Sequence, residues 1–217
     1  MKLEKVITAD GTATFKRLDL DETYHSIHGA VQESMHVFIK EGLHTIKKDR
    51  FKILEVGLGT GLNALLTAIY VGQNRFVEYA ALEPYPLKYE NVCELGFQHL
   101  HESAGDILKN IFSTQHYQKT TLSDKMIFEL LQEKLHYVRL MQKFDLIYYD
   151  AFGPRTQPEM WNEEAVASIT HHAKPETVLV TYCSQGQFRR NLEAAGWKVE
   201  KLEGPPGKRE IVRAIKD

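Results

Sequence analysis

From residue 51 onward, the hydrophobic pattern of the chain alternates between two types of segment. Short continuous apolar runs, typical of strands buried on both faces of a sheet, are FKILEV, FVEYAALE, FDLIYYD and ETVLVTYC. Between or after them lie segments whose apolar residues recur every three or four positions, as in amphipathic helices: GLNALLTAIYVG, YPLKYENVCEL, NEEAVASITHHA and QGQFRRNLEAAG. This alternation predicts an α/β fold with a doubly wound, mostly parallel sheet.

The first 50 residues have a different pattern. Residues 3–20 predict a β-hairpin that turns at Asp10 and Gly11, and a helical stripe follows over residues 31–39. We therefore expect a small N-terminal extension of hairpin and helix over residues 1–50, packed on one larger domain over residues 51–217.

The pattern is least distinct between residues 97 and 143. Apolar positions there fit helices better than strands, with one strand predicted at HYQKTTL. Residues 197–216 then predict a closing pair of strands joined at PPG.

Charge and composition limit the classes of partner. The formal net charge of −2 argues against a protein that coats nucleic acid non-specifically, because such binding depends on neutralising phosphates. No apolar stretch approaches the roughly 20 residues that span a bilayer, and the first residues lack the apolar core of a signal peptide. We therefore expect a cytoplasmic protein with no membrane partner. The two cysteines and ten histidines show no spacing typical of metal ligands, so no metal is expected.

In a sheet of this kind, ligands bind outside the carboxyl ends of the parallel strands. Four junctions that follow predicted strands should therefore lie close together, at residues 55–63, 83–86, 150–161 and 183–187. The functional residues are expected mainly at these junctions.

The first junction is a glycine loop that suits a nucleoside better than a pyrophosphate. Its sequence, EVGLGTGLN, places Gly57, Gly59 and Gly61 in a G-x-G-x-G arrangement, with Leu62 where a dinucleotide fingerprint has its third glycine. Glu55 precedes the loop. Its carboxylate would repel a pyrophosphate and attract the two positive groups of S-adenosylmethionine.

The second junction also ends in an acid. Glu83 follows the next predicted strand, where a carboxylate can accept both hydroxyl groups of a ribose. A carboxylate there is compatible with NAD and with S-adenosylmethionine, and Glu55 favours the second.

The third junction combines a carboxylate with aromatic residues. Asp150 ends the strand FDLIYYD, and Phe152, Pro154 and Trp161 follow in an irregular loop. Methylation of an amine needs a neutral nitrogen, and a carboxylate within hydrogen-bonding reach can orient the amine and take up its proton. Aromatic side chains beside it can stack on an unstacked base. The combination predicts an N-methyltransferase that works by positioning its reactants, with no nucleophilic serine or cysteine.

These motifs together resemble those of a known family. The segments DETYHSIHGAVQESMHVFI, LEVGLGTGLN, LEPYPL, YYDAFGPRTQPEMW, TYCSQGQFRRNLEAAGW and GPPGKREIVRA resemble the tRNA 5-methylaminomethyl-2-thiouridine methyltransferase family, the methyltransferase half of the bifunctional MnmC enzymes. The resemblance implies a class I methyltransferase (Rossmann-like) fold. It also implies transfer of a methyl group from S-adenosylmethionine to the 5-aminomethyl group on the wobble uridine of tRNA.

The resemblance also implies roles for individual residues. Asp150 would be the catalytic carboxylate that faces the amine. The cofactor would be held by Glu55, Gly57, Gly59, Thr60, Gly61, Asn63 and Glu83, with Tyr24 and Ser26 closing over it. The uridine and the anticodon stem-loop would meet Phe152, Pro154, Trp161, Lys208 and Arg209. A Gly-Asp pair that the family places near the adenine has its nearest match at Ser123 and Asp124, which makes Asp124 a further cofactor candidate.

Two other functions fit parts of the pattern. A polyamine aminopropyltransferase also has an aspartate after its fourth strand, but a polycationic substrate favours several acids close together, and this junction also carries Arg155. A non-catalytic RNA-binding module of the same fold should show a broken glycine loop or no Asp150, and both are intact. The FAD-dependent oxidoreductase half of the bifunctional enzymes has no counterpart in the sequence. We therefore expect no FAD, and we expect the upstream conversion to belong either to a separate FAD-dependent oxidoreductase, as a partner, or to another branch of the pathway.

Overall fold

The computed structural model describes residues 2–217, and an eight-stranded sheet forms its centre. The strands in these residues are β1 (Leu3–Ile7), β2 (Ala13–Arg17), β3 (Glu22–Thr23), β4 (Arg50–Val56), β5 (Phe76–Leu82), β6 (Lys119–Ser123), β7 (Met126–Leu131), β8 (Phe144–Tyr149), β9 (Ala173–Thr181), β10 (Trp197–Glu203) and β11 (Glu210–Lys216). The α-helices are α1 (Ala30–Ser34), α2 (Leu62–Tyr70), α3 (Tyr89–Cys93), α4 (Ala104–Ser113), α5 (Glu163–His171) and α6 (Gly186–Ala194).

The large sheet has the strand order β10-β11-β9-β8-β4-β5-β7-β6. Its five central strands, from β9 to β7, pair in parallel, whereas β11 pairs antiparallel with both β9 and β10, and β6 antiparallel with β7. The prediction of a doubly wound, mostly parallel sheet is confirmed. The reversal of strand order between β4 and β8 places a crevice at their carboxyl ends, which is where such sheets bind ligands.

Two hydrophobic cores cover the two faces of the sheet. On one face, Phe51 and Ile53 of β4 pack with α2 and α4, and on the other, Leu54 and Val56 pack with residues of β8, α5 and α6. Every residue of β8 is buried, as expected for a strand with apolar layers on both faces. This burial fixes the position of the carboxyl end of β8, from which Asp150 emerges.

The prediction for residues 97–143 was wrong in part. The segment contains one ten-residue helix, α4, followed by a hairpin of β6 and β7, and the strand β7 was not predicted. The stretch SDKMIFELLQEKL has apolar residues at both helical and strand spacing, so its periodicity does not separate the two structures. The segment forms a strand because β7 pairs in parallel with β5 and thereby extends the central sheet.

The N-terminal extension forms a small antiparallel sheet and a helix. The sheet has the order β1-β2-β3, and α1 continues as a π-helical segment over Met35–Lys40. Phe15 and Phe38 are buried in the same core as α2, so the extension packs directly on the large sheet. None of the helices in residues 2–217 is long and apolar enough to cross a membrane.

Candidate active site

A cavity of about 580 Å³ opens at the carboxyl ends of β4, β5, β7 and β8. Its volume lies in the range of small-molecule sites. The first three predicted junctions line it. The fourth, residues 183–187, does not, although the preceding residue Tyr182 does. Residues 133–136, after the unpredicted strand β7, form a further wall, and residues 22–27 of the extension lie across the cavity.

The glycine loop is shaped by close contacts that only glycine tolerates. Gly57 has a φ of +93°, and a Cβ atom there would lie 2.5 Å from the carbonyl oxygen of Asp150. Gly59 has a φ of +51°, and a Cβ atom would lie 3.0 Å from the ring of Tyr24. The loop therefore brings the backbone of β4 against that of the Asp150 junction and leaves a concave backbone surface.

Glu83 is fixed by the glycine loop. Its carboxylate accepts hydrogen bonds from the backbone N–H groups of Gly59, at 3.1 Å, and Tyr85, at 3.0 Å. Burial raises the pKa of Glu83, and the two backbone donors oppose that shift. The side chain lines the cavity.

Glu55 lies elsewhere than predicted. It was expected near the mouth of the site, but it is fully buried and does not line the cavity. Side chains alternate along β4, so Glu55 shares the face of Phe51 and Ile53, beneath α2. Burial raises its pKa well above the ordinary value. The Glu55 carboxylate therefore lies in the core behind the glycine loop and does not reach the mouth of the cavity.

Asn63 connects this buried acid to Asp150. Its amide nitrogen donates to Glu55 Oε1 at 3.1 Å and to Asp150 Oδ2 at 2.7 Å. Asn63 Oδ1 is buried and has no hydrogen-bond partner, whereas the Glu55 carboxylate also lies beside the hydroxyl group of Tyr79. Because Asn63 lines the cavity, its unpaired oxygen indicates where a polar ligand group would bind.

Asp150 follows β8 and lines the cavity, and its pKa is strongly raised. Burial, and next the charge of Glu33, raise its pKa to about 7, against the opposing effects of Asn63 and Lys208. A carboxyl group that titrates near neutral pH is suited to accept a proton at working pH.

The extension forms one wall of the cavity through Tyr24, His25 and Ser26. The sequence did not single out His25, whose ring bridges Thr14 Oγ1 at 3.1 Å and Thr60 Oγ1 at 3.2 Å. Burial lowers the pKa of His25 to about 4, so the ring is neutral and ties the extension to the glycine loop. This contact could not be read from sequence spacing, because it joins residues 35 positions apart.

Lys208 and Arg209, both expected to meet the tRNA, lie in different surroundings. Lys208 enters the cavity, where its ammonium pairs with Glu33 and lies 3.9 Å from the centroid of the Tyr182 ring. Arg209 is exposed and does not line the cavity.

Four further predicted site residues do not line the cavity. Gly61 faces α4 instead, where a Cβ atom would lie 2.9 Å from the ring of Phe112. Trp161 is only 2% exposed and packs against Tyr149, Tyr182 and Phe188 in the core. Pro154 lies in the same loop but outside the cavity, whereas Phe152 lines it. Asp124 is exposed in the turn between β6 and β7, at the amino end of β7, so its assignment to the adenine is corrected. The residues at the carboxyl end of β7 that do line the cavity are Glu133, Lys134, Leu135 and His136.

The residues of the cavity fit S-adenosylmethionine. The glycine loop offers a backbone cradle, Asn63 lines the cavity with its Oδ1 unpaired, and Glu83 provides acceptors for hydroxyl groups. These groups would hold the methionine part and the ribose. Within residues 2–217, no three His, Cys, Asp or Glu side chains are grouped as they would be around a metal ion.

Comparison with known proteins identifies the family. Residues 97–217 match the model of an S-adenosyl-L-methionine-dependent methyltransferase family, which is more than half of the chain. The chain belongs to this family. It is a methyltransferase, and its cofactor is S-adenosylmethionine.

Curated relatives of the methyltransferase are longer proteins. It is 29% identical to the tRNA 5-methylaminomethyl-2-thiouridine biosynthesis bifunctional protein MnmC of Cupriavidus metallidurans, over 97% of this chain and 33% of that protein. It is also 29% identical to the protein of the same name from Leptospira interrogans, over 88% of this chain and 32% of that protein. The chain thus spans about a third of the length of the curated relatives it matches.

Solved structures show the same fold. MnmC2 from Aquifex aeolicus superposes with a TM-score of 0.79 at 24% identity, over 98% of this chain and 70% of that one. Spermidine synthase from Thermotoga maritima superposes with a TM-score of 0.55 at 16% identity, over 99% of this chain and 72% of that one. The fold is therefore common to methyltransferases and an aminopropyltransferase, and function must be argued from the site.

Proposed function

We propose that the methyltransferase acts on the 5-aminomethyl group of the wobble uridine in tRNA, with or without a 2-thio group, and gives 5-methylaminomethyl-(2-thio)uridine. The observation that carries the proposal is Asp150, which lies beside the glycine loop and titrates near neutral pH. The names of the MnmC relatives support the tRNA substrate. A separate FAD-dependent oxidoreductase remains the proposed partner, since those relatives are bifunctional.

The residues of the chain divide the work between cofactor and acceptor. When bound, S-adenosylmethionine supplies a methyl carbon attached to a positively charged sulfur. The loop of Gly57, Gly59 and Gly61, with Thr60 and Asn63, would hold its methionine part, and Glu83 its ribose. Asp150 would accept a hydrogen bond from the substrate amine, orient its lone pair and take up its proton. Alignment of the reactants supplies most of the remaining rate enhancement.

The acceptor end suits a base with a single amine better than a polyamine. Lys208 places a fixed positive charge beside Asp150, and that charge would repel a polycationic substrate. Phe152 offers an aromatic surface that packs against Tyr24, with ring centroids 5.0 Å apart, beside which a pyrimidine can stack. The intact contact of Asp150 with Asn63 argues against a non-catalytic RNA-binding module.

The proposal is tested by identifying the methylated nucleoside. The protein is incubated with labelled S-adenosylmethionine and tRNA from a strain that lacks the enzyme, and the nucleosides are then analysed by mass spectrometry. We expect the label in 5-methylaminomethyluridine or its 2-thio form. Label confined to another nucleoside, or transfer to free spermidine in place of tRNA, would contradict the proposal.

Glu83→Gln is expected to weaken S-adenosylmethionine binding by about 10- to 150-fold, because charged hydrogen bonds to the ribose are worth about 1.5–3 kcal/mol. Isothermal titration calorimetry of the purified variant measures the change. Glu78→Gln is the matched control, since Glu78 is on the same strand but pairs with Arg50 and Lys52 away from the cavity. Equal affinities in the two variants would remove Glu83 from the cofactor site.

The rate of methylation is expected to rise with pH up to about 7 and then to level off. Asp150 must be ionised to accept the proton, and its pKa is about 7, so kcat/KM falls about tenfold per pH unit below that value. The profile is measured with tRNA at saturating S-adenosylmethionine. A rate that is flat between about pH 5.5 and 7.5 would exclude Asp150 as the titrating base.

A further inference from the structure

The loop between β10 and β11 contributes a cation to the acceptor end of the cavity. Lys208 is far in sequence from the other cavity residues, yet it lies between Glu33 of α1 and the ring of Tyr182. The loop is held there by the extension: His36 Nε2 lies 2.8 Å from the carbonyl oxygen of Glu203. A Cβ atom on Gly207 would lie 2.2 Å from the ring of His28. The extension therefore holds the loop that carries Lys208, whose ammonium lies against Glu33 and Tyr182.

Glu33 is as firmly placed as its partner. It is only 7% exposed, and its Oε2 accepts a hydrogen bond from the backbone N–H of Ser26 at 3.0 Å. Its other oxygen faces Lys208. A buried carboxylate with this exposure is costly unless a cation neutralises it, and Lys208 does so.

Asp150 lines the same cavity as Glu33 and Lys208, and Glu22 and Glu159 line it as well. The titratable groups near Asp150 come from several elements of the fold. The groups that face it are Glu55 of β4, Tyr79 of β5, Glu33 of α1, Tyr182 after β9 and Lys208. The tyrosines are neutral, because burial raises their pKa values well above the ordinary range.

We propose that Lys208 and Glu33 form a positioning pair for the acceptor amine, in which Lys208 cancels the charge of Glu33 and leaves Asp150 as the one carboxylate that receives the proton. This inference rests on the proposed function. An aliphatic amine reaches the site as an ammonium ion. Two uncompensated carboxylates would stabilise that ion and hinder loss of its proton, whereas one carboxylate beside a cation lets the amine become neutral.

The first test is a carbon NMR titration of the side-chain carboxyl groups in the full chain, without tRNA. The Asp150 signal is assigned by its loss in Asp150→Asn. Lys208→Met is expected to move the highest carboxyl midpoint of the Glu33 and Asp150 pair upward by about one pH unit, because the pair then retains a proton. Glu33→Gln should move the Asp150 midpoint downward, and the double variant should return close to wild type.

Arg209→Met is the matched control, since it removes an equal charge from the next residue, which is exposed and outside the cavity. It should leave the midpoint unchanged, and Lys208→Arg should preserve it. If Lys208→Met titrates like wild type, or if Arg209→Met shifts the midpoint equally, the pair does not have this role. If Glu33→Gln does not fold, the titration midpoints of Lys208→Met and Lys208→Arg are compared instead. Equal midpoints in these two variants would contradict the proposed pair.

The second test is the dependence of tRNA methylation on pH. In Lys208→Met, the rising limb of kcat against pH should move upward with the NMR midpoint, so that raising the pH restores the rate. A loss confined to KM for tRNA, equal at every pH and smaller at high salt, would make Lys208 a phosphate contact and overturn the inference. A wild-type protein that does not methylate tRNA would refute the proposed function. The NMR titration would still show whether Lys208 and Glu33 control the titration of Asp150, because it is carried out without tRNA.

Discussion

Asp150→Asn is expected to lower kcat for methyl transfer to tRNA by about 10²- to 10⁴-fold, with little change in the Kd for S-adenosylmethionine. Asparagine keeps the shape of the side chain and can still accept from Asn63, but it cannot take up the proton of the amine. Single-turnover transfer of labelled methyl to tRNA measures the rate, and calorimetry measures the affinity.

Asp124→Asn is the matched control for this variant. Asp124 was predicted at the adenine, but it is exposed at the amino end of β7 and outside the cavity. The same chemical change there should leave both rate and affinity at wild-type values. A near-normal rate in Asp150→Asn would remove the carboxylate from the mechanism, and a weakened affinity in Asp124→Asn would restore the original assignment.

Asp150→Asn should also change the pH dependence of stability. The pKa of Asp150 is raised from its ordinary value to about 7, so the folded state favours the protonated form. The stability that this group contributes is therefore fully present below about pH 4 and is lost as the pH rises to about 7. The variant should be more stable than wild type at about pH 8 and no more stable at about pH 4, as measured by denaturant unfolding.

Trp161→Ala is expected to lower the free energy of unfolding by about 3–5 kcal/mol, the usual loss for a large buried aromatic residue. The indole packs edge-on against Tyr149 and Phe188, with centroids 5.1 Å and 4.9 Å apart. Its N–H donates to the carbonyl oxygen of Phe152 at 2.8 Å. Urea unfolding at fixed pH measures the change.

Trp197→Ala is the matched control, because Trp197 is equally buried in the same core and its N–H donates to Thr170 Oγ1. We expect comparable losses of stability in the two variants. The milder Trp161→Phe should keep most of the affinity for tRNA. A Trp161→Ala protein of normal stability that had lost only tRNA binding would show that the indole contacts the base after all.

The sheet was predictable because its signals are local. The runs that form β4, β5, β8 and β9 are continuous and apolar, and each is separated from the next by a helical pattern. Strand β7 escaped prediction because its apolar residues also fit a helix, and only its pairing with β5 excludes that structure. Because β7 was not predicted, residues 133–136 at its carboxyl end were not expected in the cavity. For the same reason, Asp124 at its amino end was assigned to the adenine.

The site was predictable only where a residue follows a strand. Glu83 and Asp150 line the cavity because the carboxyl ends of neighbouring parallel strands meet there. In an irregular loop, the side-chain direction depends on packing, and thus Phe152 lines the cavity whereas Trp161 turns into the core. The charge pair of Glu33 and Lys208 joins two segments that no local pattern relates.

The sequence alone determined the class of fold, the glycine loop and the two acids that end β5 and β8, because strand burial and backbone turns are set by residues close together in the chain. Tertiary structure decided which side chains face the cavity. It places Glu55 in the core behind the loop, where the sequence had predicted a carboxylate at the mouth. It also decided the proton affinity of Asp150, because that depends on burial and on the charges of Glu33 and Lys208. Those charges are brought to one cavity by packing of the extension against the loop between β10 and β11.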